Sequence, residues 1–141
     1  MKIVFDTNIL LDSILDRPNR ELALKLMYAV ATEKVEGVVS ANSITDLYYI
    51  CRKGLGDSGA RDAVTAILEM FDIAPVDGDT CFMALATGMA DYEDAVLAVC
   101  ASIAQADLIV TRDEGFVAEK NSPVRAVKPE EALMLIEDTD E

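Results

Sequence analysis

Five short apolar runs, at residues 3–5, 37–40, 73–76, 108–111 and 124–127, recur along this 141-residue chain. Helical patterning fills the intervals between them. Runs this short with no polar alternation have no wet face, so each belongs to a strand covered on both sides. Strands of that kind separated by helices build a parallel sheet between two helical layers. The helices are predicted over 9–15, 20–32, 41–52, 58–71, 79–89, 91–105, 113–119 and 129–136. Pro18, Gly54-Leu55-Gly56, Pro75, Gly78, Gly88, Pro123 and Pro129 punctuate those boundaries. The expected fold class is α/β: a three-layer α/β/α sandwich around five mainly parallel strands. One domain is expected over residues 1–136, followed by an acidic tail at 137–141.

Parallel sheets of this kind place their ligand sites beyond the carboxyl ends of the strands. The first run stops there on Asp6-Thr7-Asn8, and the fourth on Thr111-Arg112-Asp113. Asp6 reads either as a helix N-cap or as a functional acid. Three capping residues in a row exceed what one helix start needs, which favours the acid, with Asn8 to orient it. Asp12 and Asp16, further along the same helix, read as surface. Arg112 can hold a phosphate or face solvent.

Two more acids stand at predicted helix starts. Asp46 lies about one turn into the helix after the second strand, where the helix dipole alone would also favour it. Asp91-Tyr92-Glu93-Asp94 opens the helix at 91–105, with Asp91 and Asp94 on one face and Glu93 pointing elsewhere. The segment after Asp94 is apolar all round, so this helix start is expected inside the structure. An unpaired carboxylate there would be costly, and a cation removes the cost.

The chain has no histidine. Cys51, Cys81 and Cys100 are odd in number, far apart and set in apolar helical patterns, so they read as buried free thiols and not zinc ligands. What remains for a metal is carboxylate oxygen, the donor for Mg²⁺ or Mn²⁺. Metal-assisted hydrolysis is the chemistry such a set suits. Twelve Lys and Arg against 26 acids give a net charge of −14, a weak field for attracting phosphates. Either a cation and a local basic patch supply that attraction, or nucleic acid is not the substrate. The longest apolar stretch, 95–104, falls well short of the roughly 20 residues of a membrane span, and the opening run is too short for a signal peptide. A cytoplasmic protein is expected, without membrane partners. A hydrophobic fraction of 52% in so small a domain points to a homodimer.

Taken in order, Ile3-Val4-Phe5-Asp6-Thr7-Asn8-Ile9-Leu10, Ser43-Ile44-Thr45-Asp46, Asp91-Tyr92-Glu93-Asp94-Ala95 and Thr111-Arg112-Asp113-Glu114-Gly115-Phe116 resemble the PIN nuclease domain, with Val127-Lys128-Pro129 near the end. The likeness spans essentially the whole chain and is greatest to the small prokaryotic PIN proteins, many of them ribonuclease toxins neutralised by a cognate antitoxin. It implies strand order 3-2-1-4-5 and a Mg²⁺- or Mn²⁺-dependent endoribonuclease acting on RNA. It also implies catalytic acids at Asp6, Asp46, Asp94 and Asp113, metal ligands among them at Asp6, Asp94 and Asp113, and support from Asn8, Asp91 and Thr111. Asp46 departs from the pattern, standing one methylene shorter than the glutamate common there. Two alternatives remain. One is a receiver-like phosphoacceptor domain using Asp77, Thr111 and Lys128; the other is a PIN-like module that binds without catalysis.

Overall fold

Ile3 and Phe5 enter one hydrophobic core, and Val4, between them, enters another. Strand β1 (Lys2–Phe5) is therefore buried on both faces, and the same division holds along the sheet. Val39, Leu108 and Val110 join the first core; Val38 and Ile109 join the second. This is the covered parallel sheet that the short apolar runs demand. The computed structural model describes residues 1–139.

The strands β1, β2 (Glu36–Ser40), β3 (Asp72–Ala74), β4 (Leu108–Val110) and β5 (Ala126–Val127) form one sheet in the order β3-β2-β1-β4-β5, and every pairing is parallel. Helices α1 (Thr7–Ile14), α2 (Arg20–Ala31), α3 (Ala41–Met70) and α7 (Pro129–Thr139) cover one face, and α4 (Gly78–Ala86), α5 (Tyr92–Ile103) and the one-turn α6 (Glu114–Val117) cover the other. Phe5 meets Phe71 edge to face, with ring centroids 5.0 Å apart. That contact needs Gly37, because a Cβ there would lie 2.5 Å from the Phe71 ring.

The predicted elements are all present, with shifts at their ends. The helices expected over 41–52 and 58–71 are one helical run broken only at Gly56, whose φ of 73° and ψ of 176° suit glycine alone. Across that break the Tyr48 hydroxyl and Arg61 Nε both donate to the Asp57 carboxylate. Strand β3 stops before Pro75, which has no N–H to give the ladder. Helix α7 continues to Thr139, so Glu137 and Asp138 of the expected tail lie on its last turn; Asp140 and Glu141 lie outside the described residues. Cys51 and Cys100 are buried as expected, while Cys81 is only partly so, and all three are free thiols. Among the described residues, no helix is long and apolar enough to cross a membrane.

Order and register together position the site. Phe5 pairs with Val110, and the Asp6 N–H donates to the Val110 carbonyl at 3.0 Å. Asp6 and Thr111 are thus the first residues past two neighbouring strands.

Candidate functional site

Asp6 occupies the N-cap position of α1 with extended backbone, yet its side chain makes no capping bond. The carboxylate instead accepts the Thr111 hydroxyl, with Oγ1 2.7 Å from Oδ2. Of the two readings of Asp6, the cap is therefore not the one its side chain serves. Burial raises its pKa most strongly, and Asp113 raises it further. The bond from Thr111, the backbone N–H of Thr7 and the charge of Arg112 act in the opposite direction without cancelling the rise.

Thr111 is fully buried, and its Oγ1 also accepts the Asp113 N–H at 3.1 Å. One hydroxyl thereby fixes both the first acid and the backbone of the last. Asp113 caps α6, its Oδ1 accepting the Gly115 N–H at 2.9 Å, and remains exposed. Capping and proximity to Asp6 coexist at this residue.

Helix α5 delivers Asp94 from the other helical layer. Asp91 is its N-cap and accepts the Asp94 N–H at 2.9 Å, which accounts for Asp91 as a cap. Asp94 itself is pushed up to about 7, first by burial and then by the charges of Asp91, Asp113, Asp6 and Glu93. Glu93 is exposed, and its pKa is raised by burial and by Asp46, Asp91 and Asp6. Asp46 is exposed near the start of α3, and its charge raises the Glu93 pKa. Asn8 is exposed in the first turn of α1.

Asp12, read from sequence as surface, is 1% exposed. It accepts Arg112 Nε at 2.5 Å and Nη2 at 3.2 Å, and Arg17 approaches to 3.7 Å. The available signal was periodicity, since Asp12 lies three residues from the buried Ile9 on the face α1 turns inward. Asp16, by contrast, is exposed as expected. Asp77, the residue a receiver reading would use, caps α4, accepting the Thr80 N–H and hydroxyl at 3.0 and 2.9 Å. Its strand β3 lies at the sheet edge, whereas the receiver order 2-1-3-4-5 puts the third strand at the centre.

The donor chemistry suits a hard divalent cation. Asp6, Asp94 and Asp113 are carboxylates that repel one another, and the charge of Arg112 acts in the opposite direction on Asp6. Among the described residues, no three His, Cys, Asp or Glu side chains are already drawn around a common point. The acids are brought into one region by the strand ends and held there by Thr111 and Asp91.

Solved structures with this fold are numerous. VapBC2 from Rickettsia felis, bound to a DNA fragment from its promoter, is 16% identical with a TM-score of 0.68, covering 91% of this chain and 98% of that one. VapC20 from Mycobacterium tuberculosis, a sarcin–ricin loop cleaving toxin, is 14% identical with a TM-score of 0.67, covering 82% and 93%. A toxin–antitoxin complex from Klebsiella pneumoniae is 20% identical with a TM-score of 0.65, covering 90% and 97%. At these identities the likeness establishes the fold. No curated protein matches the chain. A model of the PIN domain matches residues 2–115, the greater part of the sequence, and with the sheet order and the strand-end acids it makes the chain a member of the PIN domain family.

Proposed function

We propose that this PIN-domain protein is a divalent-metal-dependent endoribonuclease, using Mg²⁺ or Mn²⁺, and the toxin of a toxin–antitoxin pair. One observation carries the reading. Asp6, Asp94 and Asp113 come from three separate segments, yet Asp94 is raised to about 7, first by burial, then by Asp91 on its own helix, and then by Asp113 and Asp6 from the strand ends. Folding gathers like charges at a cost, and a ligand of opposite charge is the ordinary reason to do so.

Asp6, Asp94 and Asp113 would hold the cation. When bound, it would supply Lewis-acid stabilisation of the charge developing on a phosphodiester and a means of activating water at neutral pH. Thr111 keeps one Asp6 oxygen in place by donating to it, and Asp91 fixes the backbone of Asp94. Glu93 extends the acidic surface toward Asp46, which stands where the PIN pattern commonly has the longer glutamate. With no histidine in the chain, imidazole has no part in moving protons.

The toxin role and an antitoxin partner draw support from the fold neighbours, among them a cleaving toxin and a toxin–antitoxin complex. A cytoplasmic location goes with that role. A homodimer belongs to the same proposal, supported by Phe82 and Leu85 of α4, which are 76% and 70% exposed. Sedimentation at micromolar concentration checks it, a monomer being the contrary result.

The test of activity is cleavage of a structured RNA with Mn²⁺, with chelator, and by Asp6→Asn. Cleavage should require the metal and fall by about 100-fold or more in the variant, since even outer partners of metal ligands are worth about 10–100-fold. A purified Asp6→Asn that cuts at the wild-type rate would remove Asp6 from the mechanism.

A further inference from the structure

The protein carries 12 basic residues on a chain of net charge −14, yet four of them meet at one corner. Arg17 comes from the α1–α2 connection, Arg20 from the start of α2, Arg112 from the residues after β4, and Lys128 from the residue between β5 and α7. Arg112 and Lys128 line a single cleft of about 170 Å³ together with Asn19. Arg17 shares the carboxylate of Asp12 with Arg112, and Arg20 donates Nε to the Ser13 carbonyl at 3.4 Å beside Asn19.

The anchoring of Arg112 gives this corner its character. Asp12 is buried, and it takes two of the five guanidinium N–H donors. The remaining donors belong to a group already fixed in place that forms part of the cleft wall. Because Asp12 is shared between two arginines, the triad keeps one uncompensated positive charge. Lys128 pairs with Glu114, but both side chains are well exposed, at 45% and 84%, and such surface pairs exchange readily. Glu130 also lines the cleft and limits its net charge. The same Arg112 follows Thr111 in sequence and its charge lowers the Asp6 pKa, so one wall of the cleft lies within electrostatic reach of the strand-end acids.

We infer that the Arg112–Lys128–Asn19 cleft binds a phosphodiester group of the RNA, next to the one that is cut. This rests on the nuclease reading and adds to it the element that an acidic protein otherwise lacks: a local basic seat for the backbone. Phosphate contacts of this kind position a nucleic acid without selecting its sequence. Arg112 supplies fixed donors, Asn19 an amide, and Lys128 a mobile charge that leaves Glu114 for the ligand.

The experiment uses the full chain, Lys128→Gln, and Lys25→Gln, which removes the same charge from an exposed position on α2 outside the cleft. Inorganic phosphate is titrated at constant ionic strength while the Arg112 Nε–H and Asn19 side-chain amide signals are followed by NMR. These signals should move and saturate in wild type and Lys25→Gln, and the fitted affinity should weaken by about fivefold or more in Lys128→Gln. With RNA, Lys128→Gln should raise KM more than it lowers kcat and should reduce the slope of log affinity against log salt by about 1. Equal weakening in both variants, or an RNA KM unchanged in Lys128→Gln, would overturn the proposal. Failure of the nuclease reading looks different: phosphate still saturates the cleft signals, and no RNA is cut.

Discussion

Thr111 Oγ1 donates to Asp6 Oδ2 at 2.7 Å across 105 residues of sequence, and accepts from the Asp113 N–H at 3.1 Å. A buried hydroxyl with one donor direction and one acceptor direction in use has no freedom left. It is the joint between the ends of β1 and β4. Its removal leaves both a carboxylate oxygen and a backbone N–H without a partner. Thr111→Val should therefore lower stability by about 1–3 kcal/mol, and Thr111→Ser should retain most of it. Denaturant midpoints at unchanged slope measure both; a valine variant as stable as wild type would show that the hydroxyl holds nothing.

The Asp12–Arg112 pair ties α1 to the residues after β4 in the same way. Asp12→Ala should cost about 3 kcal/mol, the low end for breaking a buried pair, because Arg112 is a third exposed and keeps access to water. A loss of only about 0.5 kcal/mol would mark it as an ordinary surface pair.

Asp94 gives a pH dependence with a definite sign. Its folded pKa of about 7 lies above the unfolded value of about 4, so the folded state binds the proton more tightly. Stability from this group is fully present below the unfolded value and is lost as pH rises through the folded one. In the absence of metal, Asp94→Asn should melt progressively higher than wild type from pH 4 upwards, with the gap levelling off above pH 7. A gap that does not change with pH would show that neither burial nor the neighbouring acids raise the Asp94 carboxyl.

Much of this was legible because a buried parallel sheet leaves few choices. Runs such as 3–5 and 108–111 have no wet face, and the residues just past their carboxyl ends must lie at the rim where ligands bind. That Asp6 and Thr111 stand side by side was not in the periodicity; it depends on β1 and β4 being neighbours, which only the likeness to a known fold implied. Asp12 was misread because the charge that permits its burial arrives from Arg112, 100 residues away. At Gly54-Leu55-Gly56 a linker was expected, yet Gly54 stays helical and Gly56 alone breaks the run, a distinction of backbone angle that composition does not carry.

The proposal that Asp6, Asp94 and Asp113 hold one cation is tested most directly by melting with Mn²⁺ or Mg²⁺. The acids come from separate segments, so the cluster exists only in the folded state, and a ligand bound there stabilises it by about 2.7 kcal/mol at a hundredfold excess over its dissociation constant. The metal should raise the melting temperature of wild type and of Asp138→Asn, on the last turn of α7, whereas Asp94→Asn should lose most of the gain. Enough NaCl to match the screening should not reproduce the effect. An equal rise in wild type and Asp94→Asn, or one that NaCl duplicates, would contradict the site and the nuclease mechanism built on it.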